Sequence, residues 1–181
     1  MRNKKGFTIV EILVALAIGG IVMGAAYSMY ISQQRSYQIT EDVSALQQNL
    51  RSAMYFLERD LRMAGYNPTK ASNYFGFTDL TLTSPELFRF TMDSETEDGV
   101  LGAGETITYS FQDNTLRRDT GGGPQIIADN ITDVSFDFFK QNGDPPANGS
   151  EVRRVEVALT ASEGEHTRDL SAMVRCRNMG L

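Results

Sequence analysis

Glu11 is the only charged side chain between Phe7 and Ile31, an apolar run of 25 residues that follows the basic segment MRNKK. A carboxylate at the centre of a bilayer costs roughly 2.5 kcal/mol or more and usually has a partner. Because the run contains no Lys or Arg, a cationic partner cannot come from the same segment. Glu11 therefore either lies near the membrane interface, where it is tolerated, or pairs with a cation on a neighbouring chain.

A second group of carboxylates lies in the stretch MDSETEDG, residues 92–99, and consists of Asp93, Glu95, Glu97 and Asp98. Their spacing is similar to the start of a calcium loop. The glycine falls one place late, however, and the twelfth position counted from Asp93 is Gly104 instead of glutamate. We predict a solvated acidic loop, with calcium as a weak alternative, and no other metal or cofactor.

Other reactive residue types do not combine into a catalytic site. The single histidine, His166, is flanked by charged residues in a predicted turn and is expected at the surface. Gly121–Gly123 does not match a phosphate-binding loop. The single cysteine, Cys176, alternates with apolar residues and is expected as a small buried side chain, with an intermolecular thiol as the alternative. No nucleophile–base pair is present, and we predict that the protein is not an enzyme.

The charge distribution argues against nucleic-acid binding. The net charge is −6, yet three basic residues lie within the first five positions, and the remainder has 14 basic against 23 acidic residues. An acidic body cannot neutralise phosphates over a broad surface.

The element that positions Glu11 is a membrane-length helix. About 20 residues of helix span a bilayer, so Phe7–Ile31 is long enough. Gly20 and Gly24 form a GxxxG pair that permits close helix packing. The basic leader is expected to stay cytoplasmic, with the rest of the chain across the membrane. A secretory signal peptide is the rival interpretation, but its small cleavage residue would follow the apolar core, whereas Gly6 precedes it.

Helical periodicity continues beyond the membrane segment. Between Gln38 and Ala64 the apolar positions recur at spacings of three and four residues, which predicts one amphipathic stripe. No proline interrupts Phe7–Met63, while Gly65 and Pro68 supply a stop. A coiled coil is the alternative for this stripe, but charges do not recur regularly enough to favour it.

The second half of the chain has strand periodicity. Apolar residues alternate with polar ones around Ile107–Phe111, Val134–Phe138, Val155–Leu159 and Leu170–Cys176. Turn residues separate these segments, including QDNT at 112–115 and NGDPPANGS at 142–150. Short strands with short turns predict an α+β fold in which a mainly antiparallel sheet packs on the helical stripe from Ile39 to Leu61.

The stretch KKGFTIVEILVAL resembles the leader of type IV prepilins. The resemblance implies that prepilin peptidase cleaves between Gly6 and Phe7, that the new amine of Phe7 is methylated, and that Glu11 neutralises such an amine on an adjacent subunit during assembly. All three positions match the pattern of that family, together with Thr8 and the basic leader.

The helix end resembles the PilW group of minor pilins and, more distantly, the J-type minor pseudopilins of type II secretion. The resemblance rests on Arg51, Ala53, Leu57, Arg59, Asp60, Leu61, Arg62, Ala64, Gly65 and Tyr66. It implies a type IV pilin-like protein with a cleaved leader (1–6), an assembly helix (7–31), an amphipathic continuation (32–66) and a β-rich head (67–181).

The implied role is that of a minor pilin that joins a pilus or primes its assembly. Its expected partners are prepilin peptidase, other major and minor pilins, the cytoplasmic-membrane assembly platform and, before assembly, membrane lipid. The expected location is the cytoplasmic membrane with a periplasmic head, then the pilus at the cell surface. A secretion pseudopilin and a plain membrane-anchored binding protein are the alternatives.

Overall fold

A computed structural model describes residues 6–70, 75–77, 87–94, 97–102 and 104–179. The chain forms two compact units, Met1–Asp42 and Val43–Leu181. Helix α1, Ile9–Met63, contributes to both. The helical residues from Val43 onward therefore belong to the head and are part of its fold.

The described residues of the head form seven strands: β1 (Leu87–Thr91), β2 (Thr106–Gln112), β3 (Thr115–Asp119), β4 (Gln125–Ala128), β5 (Ile131–Phe139), β6 (Arg154–Glu163) and β7 (His166–Arg175). A short 3₁₀ helix, Gly149–Glu151, precedes β6. All ladders between these strands are antiparallel and join strands that are consecutive in sequence, in the order β1-β2-β3-β4 in one sheet and β5-β6-β7 in the other.

The predicted α+β fold is confirmed, with one helix and antiparallel sheets. The strands form two sheets where the sequence suggested one. The division falls after β4, where Asn130 adopts a left-handed backbone conformation with φ of 54° and the chain turns into β5. The QDNT turn is confirmed, since Asp113 and Asn114 both have positive φ, as a tight β2–β3 hairpin requires.

The helical stripe is buried over a shorter length than the sequence suggested. Its buried residues run from Leu46 to Leu61. Ile39, which lies in the first unit, is 46 % exposed, and Val43 is half-buried. Only the part of the stripe from Leu46 onward therefore contributes to the core of the head.

One hydrophobic core joins the helix to both sheets. At its centre Phe88 of the first sheet stacks on Phe136 of the second, with ring centroids 4.7 Å apart. Phe77 and Phe138 complete this aromatic cluster at centroid distances of 5.5–5.8 Å. Large aromatic side chains contribute strongly to core packing, so this cluster holds the two sheets together.

Candidate functional site

The N-terminus of α1 is a capping box formed by Thr8 and Glu11. The Glu11 backbone N–H donates to Thr8 Oγ1 at 3.3 Å, and the Thr8 N–H donates to Glu11 Oε2 at the same distance. The Thr8 hydroxyl also reaches Glu11 Oε2 at 3.4 Å. This reciprocal pattern satisfies two N–H groups at the helix N-terminus and places a carboxylate at the positive end of the helix dipole. The TIVE sequence, in which glutamate follows threonine by three residues, carried this capping-box signal.

The bond predicted for cleavage lies just before the helix. Gly6 and Phe7 are non-helical and exposed, with Phe7 83 % exposed, and the helix begins at Ile9. An exposed backbone outside a helix is the form in which a peptidase can bind a scissile bond. The basic leader, Met1–Lys5, lies outside the described residues.

The first unit presents an uncovered apolar helix. In the described chain α1 is the one helix long and apolar enough to cross a membrane, judged by length and composition, and none of that apolar window is buried. A Cβ placed at Gly19, Gly20 or Gly24 would meet nothing within 4 Å. The segment therefore offers small residues and large apolar side chains to whatever surrounds it, whether lipid or other helices.

Asp60, near the end of α1, is the centre of a buried polar network. Its side chain is 3 % exposed, and Oδ2 accepts hydrogen bonds from the Tyr109 hydroxyl at 2.8 Å and from Arg118 Nε at 2.6 Å. Its Oδ1 accepts from Arg59 at 3.1–3.2 Å. The network ties the last turns of the helix to β2 and β3 of the first sheet.

Burial and the charge of Asp60 shift the pKa values of its two partners, Tyr109 and Arg118. Burial, and then the charge of Asp60, raise the pKa of Tyr109 above its ordinary value, so the phenol stays protonated and donates. Burial lowers the pKa of Arg118, but its hydrogen bond to Asp60 and the charge of that carboxylate outweigh this and raise it overall. The sequence showed Asp60 as part of the helix-end pattern, and nothing in that pattern revealed its pairing with Arg118.

The glycine that ends the helix is required by geometry. Gly65 has φ of 76°, and a Cβ there would lie 2.6 Å from Met179 Sδ. Its N–H donates to Thr91 O at 3.0 Å, which joins the helix end to β1. The predicted end of the helix at Gly65 is thus confirmed. The next residue, Tyr66, also contacts the chain that follows β1, because its carbonyl accepts a hydrogen bond from the Asp93 N–H at 2.8 Å.

In the acidic segment 92–99 the described carboxylates accept hydrogen bonds from groups close to them. Asp93 is buried and Oδ2 accepts from the Gly99 N–H at 2.8 Å, while Asp98 Oδ1 accepts from Val100. Glu97 accepts from the Tyr66 hydroxyl at 3.3 Å. Glu95, the fourth candidate calcium ligand, lies outside the described residues. Among the residues that the structure describes, no group of three or more His, Cys, Asp or Glu side chains is placed to hold a metal ion.

Cys176 is a buried free thiol directly after β7. Its backbone N–H donates to Arg153 O at 3.0 Å. Burial raises the pKa of the thiol to about 12, against a smaller opposing effect of the Arg153 charge. The predicted burial of Cys176 is confirmed. His166, which was expected at the surface in a turn, is instead the first residue of β7 and is half-buried.

We expect Cys176 to be unreactive toward a thiol reagent in the folded head and to react only on unfolding, because the reagent needs an accessible thiolate.

The raised pKa of Cys176 also predicts that the free energy of unfolding falls by up to about 4 kcal/mol as pH rises from about 9 toward 12. The reason is that the thiol loses its proton at a lower pH in the unfolded chain than in the folded head. Denaturant titrations of the wild type and Cys176→Ala at several pH values measure this effect. If the free energy of unfolding depends on pH in the same way in both proteins, the prediction is wrong.

An N-terminal segment of the prepilin pattern, an uncovered apolar helix and a head built on the same helix are typical of type IV pilin-like subunits. Residues 1–27 match the prokaryotic N-terminal methylation motif, and residues 40–176 match the family described as prepilin peptidase-dependent protein B. The chain belongs to this family, within the type IV prepilins.

The similarity of this chain to a curated pilin-like protein is consistent with membership of this family. Pilin-like protein PilA3 of Thermus thermophilus is 30 % identical over 166 residues, which is 86 % of this chain and 65 % of that protein. The chain thus spans just under two thirds of the length of this relative.

Proposed function

We propose that this protein is a minor type IV pilin of the PilW kind, which is incorporated into a pilus or primes its assembly. The observation that carries the proposal is the combination of a methylation motif and an uncovered apolar helix with a head that matches a prepilin peptidase-dependent family. Type IV pilins are structural subunits, and we propose no catalytic activity for this one.

Processing is the first step of the proposed mechanism. Prepilin peptidase cleaves the Gly6–Phe7 bond, and the released amine of Phe7 is methylated. The exposed, non-helical backbone at these residues supports this step. The mature chain is then held in the cytoplasmic membrane by α1, with its head on the periplasmic side, until the assembly platform moves it into the fibre at the cell surface.

Assembly is the second step and depends on Glu11. Before assembly its carboxylate accepts hydrogen bonds from Thr8, which reduces the cost of placing it in lipid. In the fibre the Phe7 amine of a neighbouring subunit pairs with it, and apolar helices replace lipid around the segment. This charge pair fixes the axial register of the added subunit.

Intact-mass measurement of the protein purified from its membrane tests the proposal. We expect a chain that begins at Phe7 and carries one added methyl group. A functional protein that keeps Met1–Lys5, or one that lacks the apolar helix, would contradict it. Copurification with pilus subunits, as opposed to secretion components, separates the minor pilin from the pseudopilin alternative.

Replacing Glu11 with alanine is expected to leave cleavage unchanged and to lower incorporation into fibres several-fold, because the pairing charge is lost. Glu11→Gln is the matched control for the capping box, since glutamine at this position still accepts from the helix N-terminus. Immunoblots of sheared fibres and of membranes measure both steps. If Glu11→Gln is incorporated normally, the capping box and not the charge is what matters.

We further propose that the segment 92–99 folds without a bound cation, because Asp93 Oδ2, Glu97 and Asp98 accept hydrogen bonds from the segment itself and from Tyr66. Asp93 Oδ1 is buried without a hydrogen-bond partner, but no group of three or more His, Cys, Asp or Glu side chains among the described residues is placed to hold a metal ion. Calcium is therefore expected to shift the melting temperature of the full-length protein in detergent by no more than about 1 °C, since a ligand stabilises only a state that binds it. Thermal scans with calcium and with a chelator measure this shift. A rise that saturates with calcium and disappears in Asp93→Asn would establish the calcium loop instead.

A further inference from the structure

A basic cluster lies at one end of the second sheet. Arg154 on β6 and Arg175 on β7 are directly opposite each other in the ladder, and Arg177 follows just after β7. Like charges opposite each other weaken a sheet. None of the ion pairs between described residues includes any of these three arginines. A protein with a net charge of −6 thus keeps three guanidinium groups without a carboxylate partner at one end of its head.

An acidic pocket lies at the opposite end of the same sheet. It has a volume of about 350 Å³ and is lined by Glu163, the last residue of β6, by Asp129, which follows β4, and by α1. Asn49 of α1 donates hydrogen bonds to the backbone oxygen of Asp129 at 2.7 Å and to its carboxylate. Neither Glu163 nor Asp129 forms an ion pair within the described chain.

The chemistry of the pocket favours a guanidinium group as its ligand. Its two carboxylates lie beside the amide side chains of Gln48 and Asn130 and the hydroxyl of Ser52. A guanidinium carries five N–H donors in a planar fork, which suits several oxygen acceptors at once. A metal ion fits less well, because the described part of the pocket supplies only two acidic side chains.

We propose that the acidic pocket binds Arg175 of a second copy of this chain, so that two heads associate end to end. Charge complementarity identifies the occupant, since the same head carries both the acidic pocket and the arginines without partners. Arg154 and Glu163 are the first and last residues of β6, and a strand of this length spans about 30 Å. One head therefore cannot pair its two ends with each other.

The proposal rests on the proposed pilin function, because a fibre is what holds successive heads end to end. The contact joins two different surfaces of the same chain. Such a contact does not close on itself as a two-fold contact does, and it can repeat along a fibre.

Charge reversal tests this contact without disturbing the core, because Arg175 and Glu163 are both exposed. Two differently tagged full-length copies are expressed together and copurified in detergent. Arg175→Glu and Glu163→Arg should each lower the copurification at least about tenfold, because each places like charges across the contact. Raising the salt concentration should weaken the wild-type association, since exposed charges are screened. Wild-type copies that do not associate, or variants that associate like the wild type, would overturn the proposal.

A mixture of the two reversed variants is the decisive measurement. Copies of Arg175→Glu repel one another, and so do copies of Glu163→Arg. A copy of one variant, however, is complementary to a copy of the other at both ends. We expect the mixture to copurify at the wild-type level, and a mixture as weak as either variant alone would show that these two residues do not meet.

Arg51→Glu is the matched control, because it makes the same change of charge at an exposed arginine of α1 outside the basic cluster. It should associate like the wild type, and all three variants should keep the wild-type melting temperature. If Arg51→Glu weakens the association equally, net charge and not the pocket is responsible. Recovery of the wild type with other pilus subunits and never with a second copy would also contradict the proposal.

The same cells report on the proposed function separately. Cleavage after Gly6 and recovery in sheared fibres are measured for each variant. If wild-type protein is uncleaved, the pilin function fails. If every variant is cleaved and incorporated normally and charge reversal leaves the association of copies unchanged, only the end-to-end contact fails.

Discussion

Asp60→Ala is expected to lower the stability of the head by about 3–5 kcal/mol, the range found when one partner of a buried ion pair is removed. The substitution leaves the Arg118 guanidinium and the buried Tyr109 hydroxyl without their shared acceptor at 2.6 and 2.8 Å. For a domain of this size the loss corresponds to a fall of roughly 10–15 °C in melting temperature. Near-ultraviolet circular dichroism of the tyrosines follows this unfolding in the full-length protein in detergent.

Three control variants separate the contributions to this loss. Tyr109→Phe removes one neutral hydrogen-bond donor and should lower stability by about 1 kcal/mol. The loss for Asp60→Asn should lie between those of Tyr109→Phe and Asp60→Ala. Glu58→Ala breaks a partly exposed i,i+4 pair with Arg62 at 2.6 Å on α1, which is expected to change stability by less than about 0.5 kcal/mol. If Asp60→Ala were as mild as Glu58→Ala, the network would not stabilise the helix–sheet junction.

Gly149→Ala is the second substitution with a large expected effect. A Cβ at this position would lie 1.8 Å from the backbone oxygen of Phe77, which is not an ordinary van der Waals distance. The alanine must displace either the 3₁₀ helix or the segment at 75–77 that inserts Phe77 into the aromatic cluster. We expect a loss of about 3 kcal/mol or more, as for other substitutions that force a packed backbone apart.

Gly122→Ala is the matched control for this effect. A Cβ there meets nothing within 4 Å and its backbone conformation is not restricted to glycine, so its stability should change little or rise slightly. Chemical denaturation of both variants, followed by reactivity of Cys176, measures the difference. Equal midpoints for the two alanine variants would mean that the close contact at Gly149 does not constrain the fold.

The regular elements with strong periodicity were predictable from sequence. The α1 stripe, the β2–β3 hairpin and the strands around Val134, Val157 and Leu170 each carried a repeating apolar pattern and recognisable turn residues. β1 and β4 were missed because each has at most five residues, too few for a period of two to stand out. The division into two sheets was also missed, since it depends on the backbone conformation of Asn130 and not on hydrophobicity.

The candidate site was predictable only where local spacing encodes it. Gly6, Phe7 and Glu11 were predicted as site residues because they lie within a few residues of each other. The contacts of Asp60 were not, because Tyr109 and Arg118 lie 49 and 58 residues further along the chain. No pattern within one segment records such a long-range pair.

The sequential strand order has a consequence for how the head forms. Every ladder joins strands that are consecutive along the chain, so each hairpin can close as soon as its second strand is available. Local strand pairing of this kind favours rapid hairpin formation, because little loop entropy is lost before pairing begins. With one cysteine in the sequence, no oxidation step between two thiols delays the process. The hairpins of a newly made head can therefore close one after another as the chain emerges.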